Sequence, residues 1–388
     1  MPEISPPTSL LVQGWTGINH SYAMVNQYQL LELSGIAGLD LYTQEMPLFD
    51  QRWSQGKNSA GFSDAESERL AAIKKHAGEP VSGIYRIHSP NTLAPADVRV
   101  VTFLVTEFGL DARNFTESAN VKSYVADGNL IVTPSNWSRE RVIEYGFDAQ
   151  SVYVVPHGVA SHNFAPATAE ERRTARALLG YTDDDVVFLN VGAPIWNKGM
   201  DLVLQAYFAT RQQHKNVRLL IKDQQALYGL SAVNMIKDMV ASGKITMDND
   251  SVESIRVLPQ TLSIEQLRSL YNIADYYLSP YRAEGFNLPV IEAIACGTKA
   301  IVTQGGSTDD FCDANTAIKI PSVRHANAQV SGTHIGAYLQ PDLDALVDIM
   351  GTCASKPKDA STRMAFGRAD MLEQFTWKRA AALLKSLF

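Results

Sequence analysis

Cysteine is scarce in this chain of 388 residues: Cys296, Cys312 and Cys353 are the whole complement. Their odd number argues against a disulfide framework and their spacing is not that of a zinc site, which fits a reducing compartment. Long apolar runs are missing as well. No stretch is long enough to cross a bilayer, and Met1 to Thr8, which carries three prolines, lacks the basic start and apolar core of a signal peptide. Cytoplasmic residence is the expectation. Positive charge is also in deficit, with 34 Lys and Arg against 41 Asp and Glu and a net charge of -7. That balance argues against a general nucleic-acid or anionic-membrane surface, and no charge run or charged tail alters it.

What the chain does contain is ordinary globular content, 45% hydrophobic and 19% charged, at a length that predicts two or more compact units. Leu10 to Gln13 reads as a first strand, ending in Gly14-Trp15-Thr16-Gly17 before a helical stretch from about Ser21 to Leu33. A strand, a glycine turn and a helix open a nucleotide-type α/β unit, the glycines letting the backbone approach a ligand closely. His20 is read as a cleft residue or as a helix-start residue with a structural hydrogen bond. Residues 45 to 62 show no period and read as a long loop, for which ligand contact and a plain surface loop both stand. Asp64 to His76 reads as a helix and Gly83 to Ile87 as a strand ending at His88, with Val98 to Val105 a further buried strand before Glu107. His88 lies at a strand end, where ligand-facing residues of open α/β sheets gather; a buried structural histidine is the other reading.

After Leu130 to Thr133 comes a helix with Ser135 as its N-cap, then Val152 to Val155 and a polar, proline-bearing stretch, Asn163 to Ala169, that reads as a domain boundary. Beyond it the alternation restarts. Val186 to Val191 is a continuous β-branched and apolar run of the kind covered on both faces of a parallel sheet. It ends at Gly192, and a loop holding Lys198-Gly199 leads to a helix near Asp201. Lys198 therefore stands at a strand-to-helix loop, placed to meet a diphosphate as a point charge.

The stretch from Tyr276 to Ala293 is the centre of the chain. Tyr276-Tyr277-Leu278 reads as a buried strand, and the loop through Gly285 runs into Pro289 at a helix start, where a missing N–H has no cost. Backbone N–H groups of Phe286, Asn287 and Leu288 would then face an anion near the positive helix end. Glu284 and Glu292 flank the same point, and a carboxylate can accept two hydroxyl hydrogen bonds from a diol. The loop acids Asp183 to Asp185, Asp248, Asp250, Asp309 and Asp310 have the solvated character usual for such positions, so no metal is expected.

The string Glu284-Gly285-Phe286-Asn287-Leu288-Pro289-x-x-Glu292-Ala293 resembles the E-x7-E signature of retaining nucleotide-sugar glycosyltransferases of the family 4 (group 1) type. Gly192 followed by Lys198-Gly199 resembles the same family's phosphate element, and Thr376-Trp377 its last helix. The resemblance implies an α/β GT-B fold: two Rossmann-like domains facing across a cleft, with a C-terminal helix crossing back to the first. The expected division is an acceptor domain at residues 1–165, a donor domain at 166–372 and the returning helix at 373–388. It also implies that Gly14 and Gly17 belong to the donor pyrophosphate or acceptor side, and His20 and His88 to the acceptor side. Leu258 and Pro259 would read the nucleobase. Two positions depart from the family. Ala193 replaces an arginine expected after Gly192, with Arg282, Lys222 or Lys299 as possible replacements, and Thr102-Phe103-Leu104 lacks a histidine, for which Glu107 is the substitute.

The chemistry so implied is retaining transfer of a hexose-type sugar from a nucleotide diphosphate sugar to a hydroxyl of a saccharide, lipid-linked or small-molecule acceptor. No metal or further cofactor is implied. Lys198 and the backbone donors near Phe286 to Leu288 would stabilise the departing diphosphate, Gly285 would belong to the same donor-binding loop, Glu284 would hold the sugar hydroxyls, and Glu292 the ribose. Two alternatives remain at this point: a nucleotide-sugar-binding protein on a retired fold, and a GT-B epimerase or hydrolase.

Overall fold

The computed structural model describes residues 9–50, 53, 61–116, 120–330, 333–355 and 366–388. Residues 1–8 and half of the loop at 45–62 lie outside these. Met1–Gly158, Asn327–Gly336 and Phe375–Phe388 form one unit, and Val159–Ala326 with Ala337–Gln374 form the other.

In the first unit the order is β1 (Ser9–Gly14), α1 (Ser21–Leu33), β2 (Asp40–Glu45), α2 (Asp64–Ala71), β3 (Lys74–Lys75), β4 (Gly83–Ile87), β5 (Arg99–Phe103), α3 (Val121–Ala126), β6 (Leu130–Thr133), α4 (Asn136–Tyr145) and β7 (Val152–Val154). The strands pair in parallel in the order β3-β2-β1-β4-β5-β6-β7. Val100, Val101, Ile131 and Val132 are buried, as a sheet covered on both faces requires. Ser135 caps α4 by accepting from the Ser138 N–H at 3.1 Å. The helix expected to reach His76 stops at Ala71 instead. Beyond it Lys74–Lys75 adds a short exposed edge to β2, and the His76 N–H donates to the Thr43 carbonyl at 2.9 Å, so sheet pairing displaces further helical turns.

The second unit holds α5 (Ala169–Leu178), β8 (Val186–Val191), α6 (Met200–Gln213), β9 (Val217–Lys222), α7 (Gln225–Tyr228), α8 (Ala232–Ala241), α9 (Asn249–Glu253), β10 (Ile255–Leu258), α10 (Ile264–Ile273) and β11 (Tyr276–Ser279). There follow α11 (Leu288–Ala295), β12 (Lys299–Thr303), β13 (Ala317–Ile320), β14 (Ser322–Val330), β15 (Thr333–Pro341), α12 (Leu343–Ser355) and α13 (Phe366–Gln374), of which the Asn327–Gly336 part of β14 and β15 is counted with the first unit. Six strands run in the order β10-β9-β8-β11-β12-β13, and β14 pairs with β15 as a separate ribbon that the sequence reading did not anticipate. Phe188, Leu219, Ile221, Leu278 and Ile301 line one sheet face and pack with Tyr207 of α6 and Met350 of α12. The opposite face carries Leu189, Leu220 and Tyr277, the last in edge contact with Tyr271 of α10.

The division between units falls after Gly158, earlier than the expected boundary at 165. The reason is local: Arg268 and Asn272 of α10 donate to the Ala165 carbonyl at 2.9 and 3.0 Å, and Phe164 packs on Tyr271, so this stretch belongs to the second core. The last helix, α14 (Trp377–Lys385), belongs to the first unit. Trp377 stacks on Tyr28 of α1 at 4.8 Å, and a side chain at Gly158 would lie 2.1 Å from the Trp377 nitrogen, so only glycine admits this approach.

Candidate functional site

In the second sheet the chain leaves β8 toward β9 on one side and later returns to β11 on the other. The order therefore reverses between β8 and β11, and loops leaving their carboxyl ends diverge to open a crevice, the usual ligand position in open α/β sheets. Lys198 lies in the loop after β8 and Glu284 in the loop after β11. Main-chain contacts lock these loops together. The Arg282 and Ala283 N–H groups both donate to the Asn197 carbonyl, at 2.6 and 3.2 Å. Gly199, at φ 71°, passes so close that a Cβ there would sit 2.0 Å from the Pro280 carbonyl oxygen.

That clamp brings Lys198 and Glu284 into contact. Their Nζ and Oε1 atoms are 2.5 Å apart, with Glu284 nearly covered and Lys198 partly open to solvent. Gly192, at φ 153°, makes room for the lysine stem: a Cβ there would stand 3.2 Å from Lys198 Cδ. The Asn287 side chain donates to Ser279 Oγ at 3.0 Å and its own backbone is left-handed (φ 76°), turning the chain into α11. Pro289 occupies the second helical position rather than the first, because Leu288 already has helical geometry. Among the described residues the Asn287 and Leu288 amides meet no protein acceptor, as expected at a helix start.

Glu292 faces Tyr271, whose hydroxyl donates to its Oε2 at 2.7 Å. Burial pushes the Glu292 carboxyl up to about 7, against the opposing effect of that hydrogen bond. Tyr277 lies below both acids. Its hydroxyl donates to the Val191 carbonyl at 3.2 Å, and burial, with Glu284 and Glu292 nearby, raises its pKa well above the usual tyrosine range. Leu258 and Pro259 sit at the carboxyl end of β10, half-buried and exposed respectively.

The remaining sequence candidates belong to the first unit, at the carboxyl ends of β1, β4 and β5. Gly14 is held by packing: a Cβ would meet Asn26 and Ile87 atoms at 2.7 to 2.8 Å. Gly17 takes a left-handed turn (φ 70°), and its N–H donates to Gln27 Oε1. His20 is the N-cap of α1, its Nδ1 accepting from the Tyr22 N–H at 3.2 Å, so the helix-start role is present. His88 follows β4 and is buried. Glu107 is half-buried, its carbonyl accepts from Trp137 Nε1 at 2.7 Å, and its carboxylate lies near Tyr22. Leu104, where relatives of the resembled family carry histidine, is wholly buried in the core with Val100, Ile131 and Val142, which accounts for an apolar residue there.

Two of the three suggested replacements for the absent arginine do not fit. Arg282 is committed to structure: it grips both Asp201 oxygens at 2.7 and 2.8 Å, donates to the Trp196 carbonyl and to Gln340, and stacks on the Trp196 ring. Lys299 begins β12, at the amino edge of the sheet, and donates to the Ala314 carbonyl. Sequence spacing could not reveal this, since both are ordinary cations in the linear motif. Tyr271 and Tyr277, which support Glu292 and the floor of the site, also escaped sequence reading because buried aromatics on strands and helices look like core.

No helix among the described residues is long and apolar enough to cross a membrane, and no three His, Cys, Asp or Glu side chains among them converge as a metal site.

Residues 171–328 match the family model described as glycosyl transferases group 1. The D-inositol 3-phosphate glycosyltransferase of Geodermatophilus obscurus is 31% identical over 46% of this chain and 38% of its own length. That of Paenarthrobacter aurescens is 27% identical over 78% of this chain and 66% of its own. The chain thus spans less than two thirds of these curated relatives' lengths. Among solved structures, a glycosyltransferase from Rickettsia africae superposes with a TM-score of 0.68 at 14% identity, covering 97% of this chain and 96% of that one. Anabaena Alr3699/HepE, solved with UDP and glucose, does so at 0.66 and 12%, covering 97% and 98%. Residues 171–328 are thus similar to the glycosyl transferases group 1, and the fold of the chain is of the GT-B type.

Proposed function

We propose that this protein is a retaining glycosyltransferase that moves a hexose-type sugar from a nucleotide diphosphate sugar to an acceptor hydroxyl. The observation that carries the reading is the meeting of Lys198 and Glu284 at the β8/β11 reversal, with Glu292 on the following helix. An ammonium beside open helix-start amides suits the diphosphate, and the two carboxylates suit sugar and ribose hydroxyls. As the glycosidic C–O bond breaks, charge builds on the leaving phosphate oxygen. Lys198 and the amides of Asn287 and Leu288 meet that charge more strongly than the bound donor, which lowers the barrier. The attacking hydroxyl approaches on the same face as the leaving diphosphate and gives its proton to a phosphate oxygen, so the anomeric configuration is kept without a metal. Glu284 leaves Lys198 for a sugar hydroxyl when the donor binds. The curated relatives' names make an inositol phosphate the first acceptor to try. His20, His88 and Glu107 are the candidates for the acceptor side.

Calorimetric titration of UDP, GDP and ADP, and of their sugar conjugates, into the parent, Lys198→Ala and Glu292→Ala tests the site. One nucleotide binds the parent, and each variant weakens it by a factor of about 10 to 100, as expected for loss of a charged hydrogen bond. Absence of binding at millimolar nucleotide, or variants equal to the parent, would sink the reading and favour a retired fold. Anomeric configuration of the product, read by NMR, tests retention.

A further inference from the structure

Lys198 is the only cation that the donor-site motif supplies, and it is already paired with Glu284. A nucleoside diphosphate brings at least two negative charges. The place of the second cation is taken by Ala193, buried and apolar, while Arg282 and Lys299 are excluded by their engagements and position.

Lys222 ends β9 directly opposite Val191, the last residue of β8. Neighbouring strands are about 4.8 Å apart, so its backbone is one strand spacing from the residue that precedes Gly192. The contact is direct: the Gly192 N–H donates to the Lys222 carbonyl at 3.0 Å. Gly192 in turn borders the Lys198 stem, and Tyr277 ties Val191 to the ground beneath Glu284 and Glu292. Strand alternation sends Lys222 out on the face shared by Leu220, Leu189 and Tyr277, since Leu219 and Ile221 point into the opposite core.

The environment of Lys222 is unusual for a lysine. It is 6% exposed, and among the described residues its ammonium has a single partner, the carbonyl oxygen of Asp223, with no carboxylate in ion-pair range. The Asp223 carboxylate is occupied elsewhere, accepting from the Gln225 and Ala232 N–H groups at 3.2 and 3.1 Å. Burying a lysine without an ion pair is unfavourable, and burial accordingly lowers its pKa. Such a cost is commonly met where a charge is held for a ligand.

We propose that Lys222 is the second phosphate cation of the donor site, reaching the diphosphate of a nucleoside diphosphate from β9 in place of the arginine absent at Ala193. The ammonium exchanges the Asp223 carbonyl for a phosphate oxygen when the ligand arrives. The inference rests on the donor-site reading above and adds to it a residue from a strand outside the family's linear motifs.

The test titrates UDP, GDP and ADP, and in parallel uridine, guanosine and adenosine, into the parent, Lys198→Ala, Lys222→Met and Lys222→Arg. Methionine preserves the buried stem without the charge, so Lys222→Met is expected to melt no lower than the parent. For the nucleotide that the parent binds, Lys222→Met weakens the diphosphate at least tenfold and leaves the nucleoside within twofold, while Lys222→Arg keeps most of the diphosphate affinity. Equal loss of nucleoside and diphosphate, or no loss of either, overturns the inference. If Lys198→Ala loses the diphosphate and Lys222→Met does not, the donor site stands and only the role of Lys222 falls. If the parent binds no nucleotide, both fall. A second measurement needs no variant: acetylation of Lys222 in the parent, followed by mass spectrometry, is slowed by the diphosphate and not by the nucleoside, and equal labelling with both overturns the inference.

Discussion

Replacing Glu292 by glutamine separates the energetic burden of this acid from its use. In the folded protein burial holds the carboxyl at about 7, against an ordinary 4.5. Below pH 4.5 it is protonated in both folded and unfolded chains and has no effect. As pH rises from there, the unfolded chain ionises while the folded one holds its proton, so stability is lost until about pH 7 and stays lost above it. The gap amounts to about 3 kcal/mol at pH 8 and about 1 kcal/mol at pH 5, taking about 1.4 kcal/mol per tenfold change in proton affinity. Glutamine keeps an acceptor for the Tyr271 hydroxyl and removes the ionisation. Urea denaturation of the ligand-free protein should therefore show Glu292→Gln more stable than the parent by about 3 kcal/mol at pH 8, with the advantage shrinking to about 1 kcal/mol at pH 5. An advantage that does not change with pH, or a loss at pH 8, would refute the reasoning. If Glu292 holds the ribose as proposed, it does so as the charged carboxylate, and affinity for a nucleoside diphosphate then falls up to tenfold per pH unit below about 7. In Glu292→Gln only the weaker dependence due to the phosphate itself remains, which calorimetry at several pH values reads directly.

Three further outcomes follow from the packing. Gly199→Ala places a methyl 2.0 Å from the Pro280 carbonyl in a left-handed backbone and should destabilise by about 2 kcal/mol or more, with loss of nucleotide affinity as the two loops separate; an unchanged melt would contradict the clamp. Arg282→Lys loses the double grip on Asp201 and the stack on Trp196, and is expected to lower stability by about 2 to 4 kcal/mol in denaturant titration. Were Arg282 instead a phosphate ligand, the melt would hold and only nucleotide binding would suffer. Trp377→Ala removes the stack on Tyr28 and should cost about 3 to 5 kcal/mol, measured as early loss of the first unit's helix signal on heating. Coincidence with the parent curve would show that the last helix does not hold that unit.

Much of this was legible because it is local. Val186–Val191 and Gly83–Ile87 announce buried strands by composition, and Ser135 announces a helix start by side-chain chemistry that acts within one turn. The strand–loop–helix arrangement around Glu284 is local too, which is why a linear motif can carry it. Misreadings arose where a distant partner decided. α2 gave way after Ala71 because β2 offered an edge to Lys74–Lys75, and the β14–β15 ribbon depends on mutual pairing that no short pattern marks.

By itself the sequence determined the alternation of elements, the two α/β units and the places where Lys198, Glu284 and Glu292 stand in their loops, since each follows from neighbours within a turn or a strand. Tertiary structure alone decided what the charges can do. Arg282 is neutralised by Asp201 from α6, Leu104 disappears into a core, and Tyr271 meets Glu292 from α10. Lys222 lies buried beside Gly192 because two strands pair. Burial and pairing set the reach of each of these groups, and both depend on residues far away in the chain.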